Sequence, residues 1–386
     1  MLLAYFMSYF FRISPSVVMP IFSTRLGMSA SLTGFVASFY FYAYAAMQPV
    51  CGLLLDRLGP LRVVALGLLI TASGTALILF TQTPFSIALW RLLTGLGLAP
   101  MFLGALVYQS AAFPLERYAF YSGLTLAVGN FGAVVGVAPL GWAIDSWGIS
   151  FVFAFLSFFC VVLALSLFLK RKEDPIFCKK GKAQKSLLQN LKETGVFVFT
   201  SPVVRSIALI WSMLMGALLS LQALWAVSWF AHVYDRPFAE CRIWATSIGI
   251  GVMVGTLAAG SLGTSKSSRE KLLFSSTALF VIALFLLNIF LFLRLPVFIA
   301  GGASFVLGVS FGSGAVCYAA RINEEAPQHL RGAVMGIVNS LIYVSVIFFQ
   351  WGTGTLIDKE GYAVTYFIVF LLVAMSLFSL KKLWQH

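Results

Sequence analysis

Acidic residues are scarce in this chain: its 386 residues include 13 Asp and Glu against 26 Lys and Arg, and charged residues make up only 10% of it. A water-soluble domain carries about 25% charged residues, because its folded surface has to be solvated. With 60% hydrophobic residues the chain cannot build such a surface, which excludes a cytosolic enzyme and a secreted domain. The five cysteines (Cys51, Cys160, Cys178, Cys241 and Cys317) are scattered, with no C-x-x-C pair or Cys/His cluster. Neither a disulfide framework nor a metal site is therefore expected. The three histidines, His232, His329 and His386, fall near segment ends. No G-x-x-x-x-G-K-[ST] loop is present, so ATP-driven pumping has no support. The first charge, Arg12, comes too late for the basic start of a signal peptide. The chain begins inside its first apolar stretch, which leaves open whether a cytoplasmic leader precedes it.

What the chain does have is apolar length. Dividing the hydrophobic share by the roughly 20 residues of a membrane helix gives about twelve. Ends marked by charges, prolines and glycine-polar clusters give twelve stretches: 1–22, 31–54, 62–81, 85–111, 118–144, 149–169, 204–232, 243–262, 272–293, 297–320, 332–356 and 362–380. Backbone groups cannot go unpaired in lipid, so these stretches are read as helices. Long unbroken runs such as 151–169 argue against barrel strands.

Placing both termini in the cytoplasm puts nineteen of the 26 basic residues on the inner side. Arg25, Arg236, Arg242, Arg294 and Lys359 lie outside, and Arg12 and Arg91 lie within spans. This asymmetry fixes the expected orientation. It also accounts for the net charge of +13 without a nucleic-acid partner. The one long polar segment, 170–203, carries eight of the inner basic residues and reads as a cytoplasmic linker, with a short surface helix near 184–193. The expected organisation is a six-helix bundle over 1–169, the linker 170–203, and a second six-helix bundle over 204–386. A weak internal repeat supports the two halves: Gly141-Trp-Ala-Ile-Asp145-Ser-Trp-Gly148 returns 213 residues later as Gly354-Thr-Leu-Ile-Asp358-Lys-Glu-Gly361. Arg117 and Gly123 similarly match Arg331 and Gly336. Such repeats around a central site are typical of secondary transporters.

Arg12 stands out among the polar residues. It lies about 11 residues into the first stretch, roughly 16 Å along a helix. Ser8 and Ser16 flank it four residues either side, and Pro15 is placed to kink the helix and free a carbonyl. A membrane arginine costs about 2.5–3.5 kcal/mol by insertion scales, so it faces a partner or a cavity. A guanidinium there grips carboxylate or phosphate bidentately, and Arg12 is read as the solute anchor. Tyr40, Tyr44 and Gln48 recur every four residues in the second stretch. Tyr108, Asn130, Gln222, Trp225, Asn339 and Tyr343 complete the expected solute-binding set. Gly129, Gly132 and Gly136 are read as allowing helices to pack closely. All 13 acids fall at span ends or in loops, so no carboxylate for proton coupling is visible within the bundle.

The loop after the second stretch reads Gly52-Leu-Leu-Leu-Asp56-Arg57-Leu-Gly59-Pro-Leu-Arg62. It resembles the G-x-x-x-D-R-x-G signature of the major facilitator superfamily. With twelve spans, two halves and a basic central linker, the resemblance covers the whole chain. The second copy, Gly260-Ser-Leu-Gly-Thr264, lacks the acid. The resemblance implies an all-α fold of twelve transmembrane helices in two pseudo-symmetric six-helix bundles. It also implies that Gly52, Asp56, Arg57 and Gly59 form the inner gate, with Asp56 meeting a helix N-terminus of the other half and Arg117 or Arg331 completing the pair. Arg91, in Arg91-Leu-Leu-Thr94-Gly95-Leu-Gly97, matches the family's R-x-x-x-G-x-G element, with a structural or a coupling role open. The antiporter signature G-x-x-x-G-P-x-x-G-G is poorly matched, because Pro139 is separated from Gly136. Phe10 to Ser16 and Phe39 to Pro49 resemble the phagosomal nutrient transporter branch.

The expectation is a secondary transporter, not an enzyme, that imports a small polar or anionic nutrient such as an amino acid by alternating access across a bacterial inner membrane. Efflux of a drug-like compound or siderophore is the alternative. A receptor or sensor is disfavoured for want of an extra folded domain. The expected partners are the solute and the bilayer, with the chain a monomer and no catalytic residue, cofactor, metal or nucleic acid involved.

Overall fold

A computed structural model describes residues 1–80, 83–174, 187–263, 265–293, 295–328 and 330–379. Helices follow the apolar stretches closely. The first span is broken into α1 (Leu2–Ile13) and α2 (Pro15–Leu26), and the second is α3 (Ala30–Leu58). The third is α4 (Pro60–Ala76), and the fourth joins α5 (Pro84–Leu98) to α6 (Met101–Ala112). The fifth joins α7 (Leu115–Val135) to α8 (Ala138–Trp147), and the sixth is α9 (Ile149–Leu169). Helix α10 (Leu187–Thr200) ends the linker. The seventh span runs through α11 (Pro202–Ser220), a π-helical segment Leu221–Trp225 and α12 (Ala226–Tyr234). Helices α13 (Phe238–Leu262), α14 (Lys266–Ile289) and α15 (Val297–Glu325) follow, and α16 (Arg331–Ser376) carries the last two stretches.

By length and apolarity alone, eight described helices could cross a membrane, or ten counting two bent pairs. The remaining two have physical explanations. Helix α16 breaks at Gly361, whose φ of 75° is the left-handed region that favours glycine, so one helix holds two spans. Helix α3 has 29 residues, but its tyrosines, serines and Gln48 dilute its hydropathy. The linker helix is described from Leu187, with 184–186 outside the described residues, and runs on past the expected end to Thr200. The linker's Cys178, Lys179, Lys180, Lys182 and Lys185 lie outside the described residues, as do Arg294, His329, Lys381, Lys382 and His386.

At three of the breaks inside spans a backbone group is met by a side chain from another helix. Pro15 has no N–H to give the Phe11 carbonyl, and the first span bends by 41° there. That carbonyl accepts from Arg91 Nη1 at 2.9 Å, while Arg91 Nε donates to the Ala37 carbonyl at 3.1 Å. Arg91 is completely buried and lies over the Tyr40 ring. It therefore ties α5 to both α1 and α3. The fifth span bends by 46°, and the freed Ala138 N–H donates to Thr246 Oγ1 of α13 at 3.2 Å. At the π segment Gln350 Nε2 donates to the Leu219 carbonyl at 3.3 Å. Ser8 and Ser16 spend their hydroxyls on the Leu98 and Ile13 carbonyls, so neither serves Arg12.

Within the first bundle α3 packs on α5, α4 on α5 and α9, and α1 on α7; in the second, α13 packs on α15 and α11 on α16. Glycines set these approaches. A Cβ on Gly95 would overlap the Tyr40 backbone, and one on Gly308, 213 residues later, would overlap the Ile248 carbonyl. On α7 a Cβ at Gly132 would meet the Phe6 carbonyl, so the glycine stripe does allow helices to pack closely. The bundles meet where α3 crosses α16, where α7 and α8 cross α13, and where α1 and α2 face the π segment and α12.

Removing the Arg91 guanidinium deletes two buried hydrogen bonds that tie α5 to α1 and α3, each worth about 1.5–3 kcal/mol for a charged donor. Arg91→Ala should lower the unfolding temperature of the detergent-solubilised protein by several degrees. An unchanged melting curve would contradict this structural role.

Candidate solute-binding site and gates

Arg12 sits in the last turn of α1, just before the Pro15 break, with 2% of its surface exposed. Its Nε makes no hydrogen bond. Three tyrosine rings surround the guanidinium carbon: Tyr9 at 4.6 Å, Tyr44 at 5.0 Å and Tyr343 at 5.4 Å. Tyr9 and Tyr44 belong to the first bundle, and Tyr343 comes from α16 in the second. Tyr44 and Tyr343 touch each other, with centroids 4.6 Å apart. Tyr40 stacks on Tyr44, and its hydroxyl donates to the Ser8 carbonyl at 3.4 Å. The ion pairs of Arg236, Arg242, Arg269 and Arg321 do not include Arg12, so none of them neutralises it. A cation facing aromatic rings gains roughly 0.5–2 kcal/mol per good contact. The rings also leave the donor fork free for an acceptor.

The structure thus brings together Arg12, Tyr40, Tyr44 and Tyr343 of the expected set. Asn130, Gln222 and Trp225 are buried on surrounding helices, and Gln48, Tyr108 and Asn339 are half-buried. Gln222 lies beside Gly249 of α13, and the Trp225 Nε1 is buried without an acceptor. Tyr9 was missed, although its position three residues before Arg12 puts it on the same helical face.

Two carboxylates close one end of the bundle interface. Asp358 accepts from the Ala30 and Ser31 N–H groups at 2.8 and 2.7 Å, capping the N-terminus of α3 from the other half. Beside it, the Ser31 and Thr355 hydroxyls are 3.1 Å apart. Asp145 pairs with Arg242 of α13 at 2.5 Å. Asp145 and Asp358 are the matching acids of the internal repeat, so the repeat carries the closing chemistry as well as the fold. A Cβ at Gly34 or Gly354 would overlap backbone of the opposite bundle, and no larger residue would let the chains approach as they do.

The opposite end is splayed. Gly52, Gly123, Gly332 and Gly336 have open space where a side chain would point, and Asp56, Arg57, Arg117 and Arg331 are exposed. Arg331 donates from Nε to the Ala326 carbonyl at 3.3 Å. Gly59, with φ of 81°, presents the N-terminus of α4, and the buried Asp174 at the start of the linker accepts from the Leu61 N–H at 2.9 Å.

The Major Facilitator Superfamily profile matches residues 1–350; the chain belongs to this superfamily, and its apolar helices make it a multi-pass membrane protein. It is 26% identical to the uncharacterized transporter YybO of Bacillus subtilis over 64% of this chain and 61% of that one. It is 30% identical to the probable sulfoacetate transporter SauU of Cupriavidus necator, over 37% of this chain and 35% of that one. With the multidrug efflux pump Tap of Mycolicibacterium fortuitum it shares 25% identity over 82% and 78% of the two chains. The matches thus span about three fifths of YybO and about a third of SauU. The nucleoside transporter NupG has the same fold, with a TM-score of 0.77 at 14% identity, covering 99% of each chain.

A carboxylate at a helix N-terminus contributes roughly 0.3–1 kcal/mol, more where partly buried. With Ser31→Cys and Thr355→Cys introduced, oxidation should form a disulfide readily. Adding Asp358→Ala should slow it severalfold as the closed end opens more often. An unchanged cross-linking rate would remove Asp358 from the closure.

Proposed function

We propose that this transporter imports a small anionic nutrient, with Arg12 as the group that binds its carboxylate, sulfonate or phosphate. The observation that carries this reading is the Arg12 fork: deeply buried, with Nε unpartnered and rings from both bundles around it. A site contacted by both bundles senses their relative motion. The aromatic and amide residues Tyr40, Tyr44, Gln48, Tyr108, Asn130, Gln222, Trp225, Asn339 and Tyr343 shape the remainder of the solute's path. The partial likeness to a probable sulfoacetate transporter supports an anion.

The orientation follows the basic residues: a bacterial inner membrane, both termini cytoplasmic, and a monomer as the working unit. The Asp358 end then faces outward and the splayed end faces the cytoplasm. Helices α3 and α16 carry reciprocal latches. Asp358, ending the first half of α16, caps the start of α3. Asp56, ending α3, is positioned to cap the start of α16 once the cytoplasmic end closes, with Arg57, Arg117 and Arg331 completing that gate and Gly52 and Gly59 allowing the approach. Rocking about the Tyr44–Tyr343 contact makes one latch as it breaks the other.

Efflux is the second reading, favoured by the broad likeness to Tap. Its typical glycine-proline signature in the fifth span is poorly matched here.

Arg12→Lys keeps the charge and loses the fork, so the apparent constant for a transported carboxylate should rise by about tenfold or more, the loss of roughly 1.4 kcal/mol. An unaltered constant would place the solute elsewhere. Asp56→Asn should cut uptake several-fold at equal expression, and unchanged uptake would remove the inner latch. Right-side-out vesicles should accumulate the anion; accumulation in inverted vesicles alone would establish export.

A further inference from the structure

We propose that a groove between α14 and α15 is a binding site for one acyl chain of a membrane phospholipid. The site shares no residue with the Arg12 cluster, and the inference is independent of what Arg12 binds.

The groove has a volume of about 600 Å³. Leu279, Ile282 and Leu286 of α14 form one wall, and Ile299, Gly302 and Val306 of α15 form the other. Every residue lining it is Leu, Ile, Val, Phe, Ala or Gly, so a polar solute finds neither donor nor acceptor there. Both helices are long and apolar enough to cross a membrane, which places the groove in hydrocarbon.

Two neighbouring glycines divide the work on α15. A Cβ on Gly301 would meet the Trp244 ring, so that glycine serves the packing of α15 on α13. A Cβ on Gly302 would meet nothing within 4 Å. Glycine costs a helix stability relative to alanine, and at position 302 no helix approach requires it. What its missing side chain leaves is space in the groove.

The dimensions select the occupant. Along α14 the groove runs from Leu279 to Phe290, about 16 Å at 1.5 Å per residue. That is the half of the helix away from Lys266, and half of a bilayer's hydrocarbon is about 15 Å deep. The groove therefore has the length of one leaflet, the outer one in the proposed orientation. Its volume spread over that length gives a width of roughly 7 Å, less than the 10–12 Å of a helix with its side chains. A transmembrane helix of a second copy is too wide, and an extended peptide would carry unpaired backbone into hydrocarbon. A lipid tail fits the length and the width and has no polar group to satisfy. Lipid is as apolar as the walls, so the tail is retained by close contact on several sides rather than by transfer from water. A tail lying along a single exposed helix, such as α9 with its outward Phe151, Phe155 and Phe158, touches one wall only.

The test places the full chain in vesicles of phosphatidylethanolamine and phosphatidylglycerol, with a trace of phosphatidylethanolamine carrying a diazirine in one acyl chain. After illumination, labelled positions are mapped by mass spectrometry. The expected result is severalfold more label per exposed residue on 279–290 and 295–306 than on 151–158. Gly302→Trp, whose ring has room to enter the groove, should abolish that excess, and Phe158→Trp should leave it in place. If Gly302→Trp does not fold, Gly302→Leu with an unchanged melting curve replaces it. Equal labelling of the two faces in the wild type would overturn the proposal without any variant, as would an excess that survives the filled groove. Oxidation of Ile282→Cys to a disulfide-linked dimer that the wild type does not form would put a second copy in the groove and overturn it as well.

Discussion

A positive charge held in a membrane without a carboxylate governs this molecule. Arg12 lies in the first span between two bundles, and the groups around it are tyrosine faces rather than acids. Burying a cation in this way is costly, and ring faces offset part of that cost. The two bundles meet there through rings, while hydrogen-bonded contacts lie elsewhere.

Those hydrogen-bonded contacts are made where helices break. Proline at position 15 frees the Phe11 carbonyl, and Arg91 takes it. The bend in the fifth span offers the Ala138 N–H to Thr246 in the other bundle. The π segment leaves the Leu219 carbonyl to Gln350. Backbone groups released in a membrane need such partners, and the partners in turn fix the orientation of the broken helices. Irregular backbone thus flanks the proposed solute path, and regular, glycine-spaced helices form the frame. At one end the carboxylates of Asp145 and Asp358 add a charged closure, which surface exposure keeps weak enough to open.

The twelve apolar stretches could be read from the sequence because a bilayer imposes a length and a polarity that few other environments do. Arg12 and the tyrosines at positions 40, 44 and 343 were also legible: spacing of four residues places them on one face, and polarity in lipid points inward. Ser8 and Ser16, four residues either side of Arg12, give their hydroxyls to the Leu98 and Ile13 carbonyls. Asp145 and Asp358 were seen as a repeat but not as a closure. Their partners, the start of α3 and Arg242, lie 328 and 97 residues away, and nothing local announces such a pairing. Arg91 could have been paired with Pro15 only by knowing that α5 crosses α1 at that level.

The most direct measurement is equilibrium binding by calorimetry to the purified protein in nanodiscs, comparing a small carboxylate with its neutral amide. If Arg12 reads charge, the carboxylate binds at least about tenfold tighter than the amide in the wild type, a difference of roughly 1.4 kcal/mol, and the preference disappears in Arg12→Gln. Equal affinity for both compounds, or a preference that survives the loss of the guanidinium, would contradict the role assigned to Arg12.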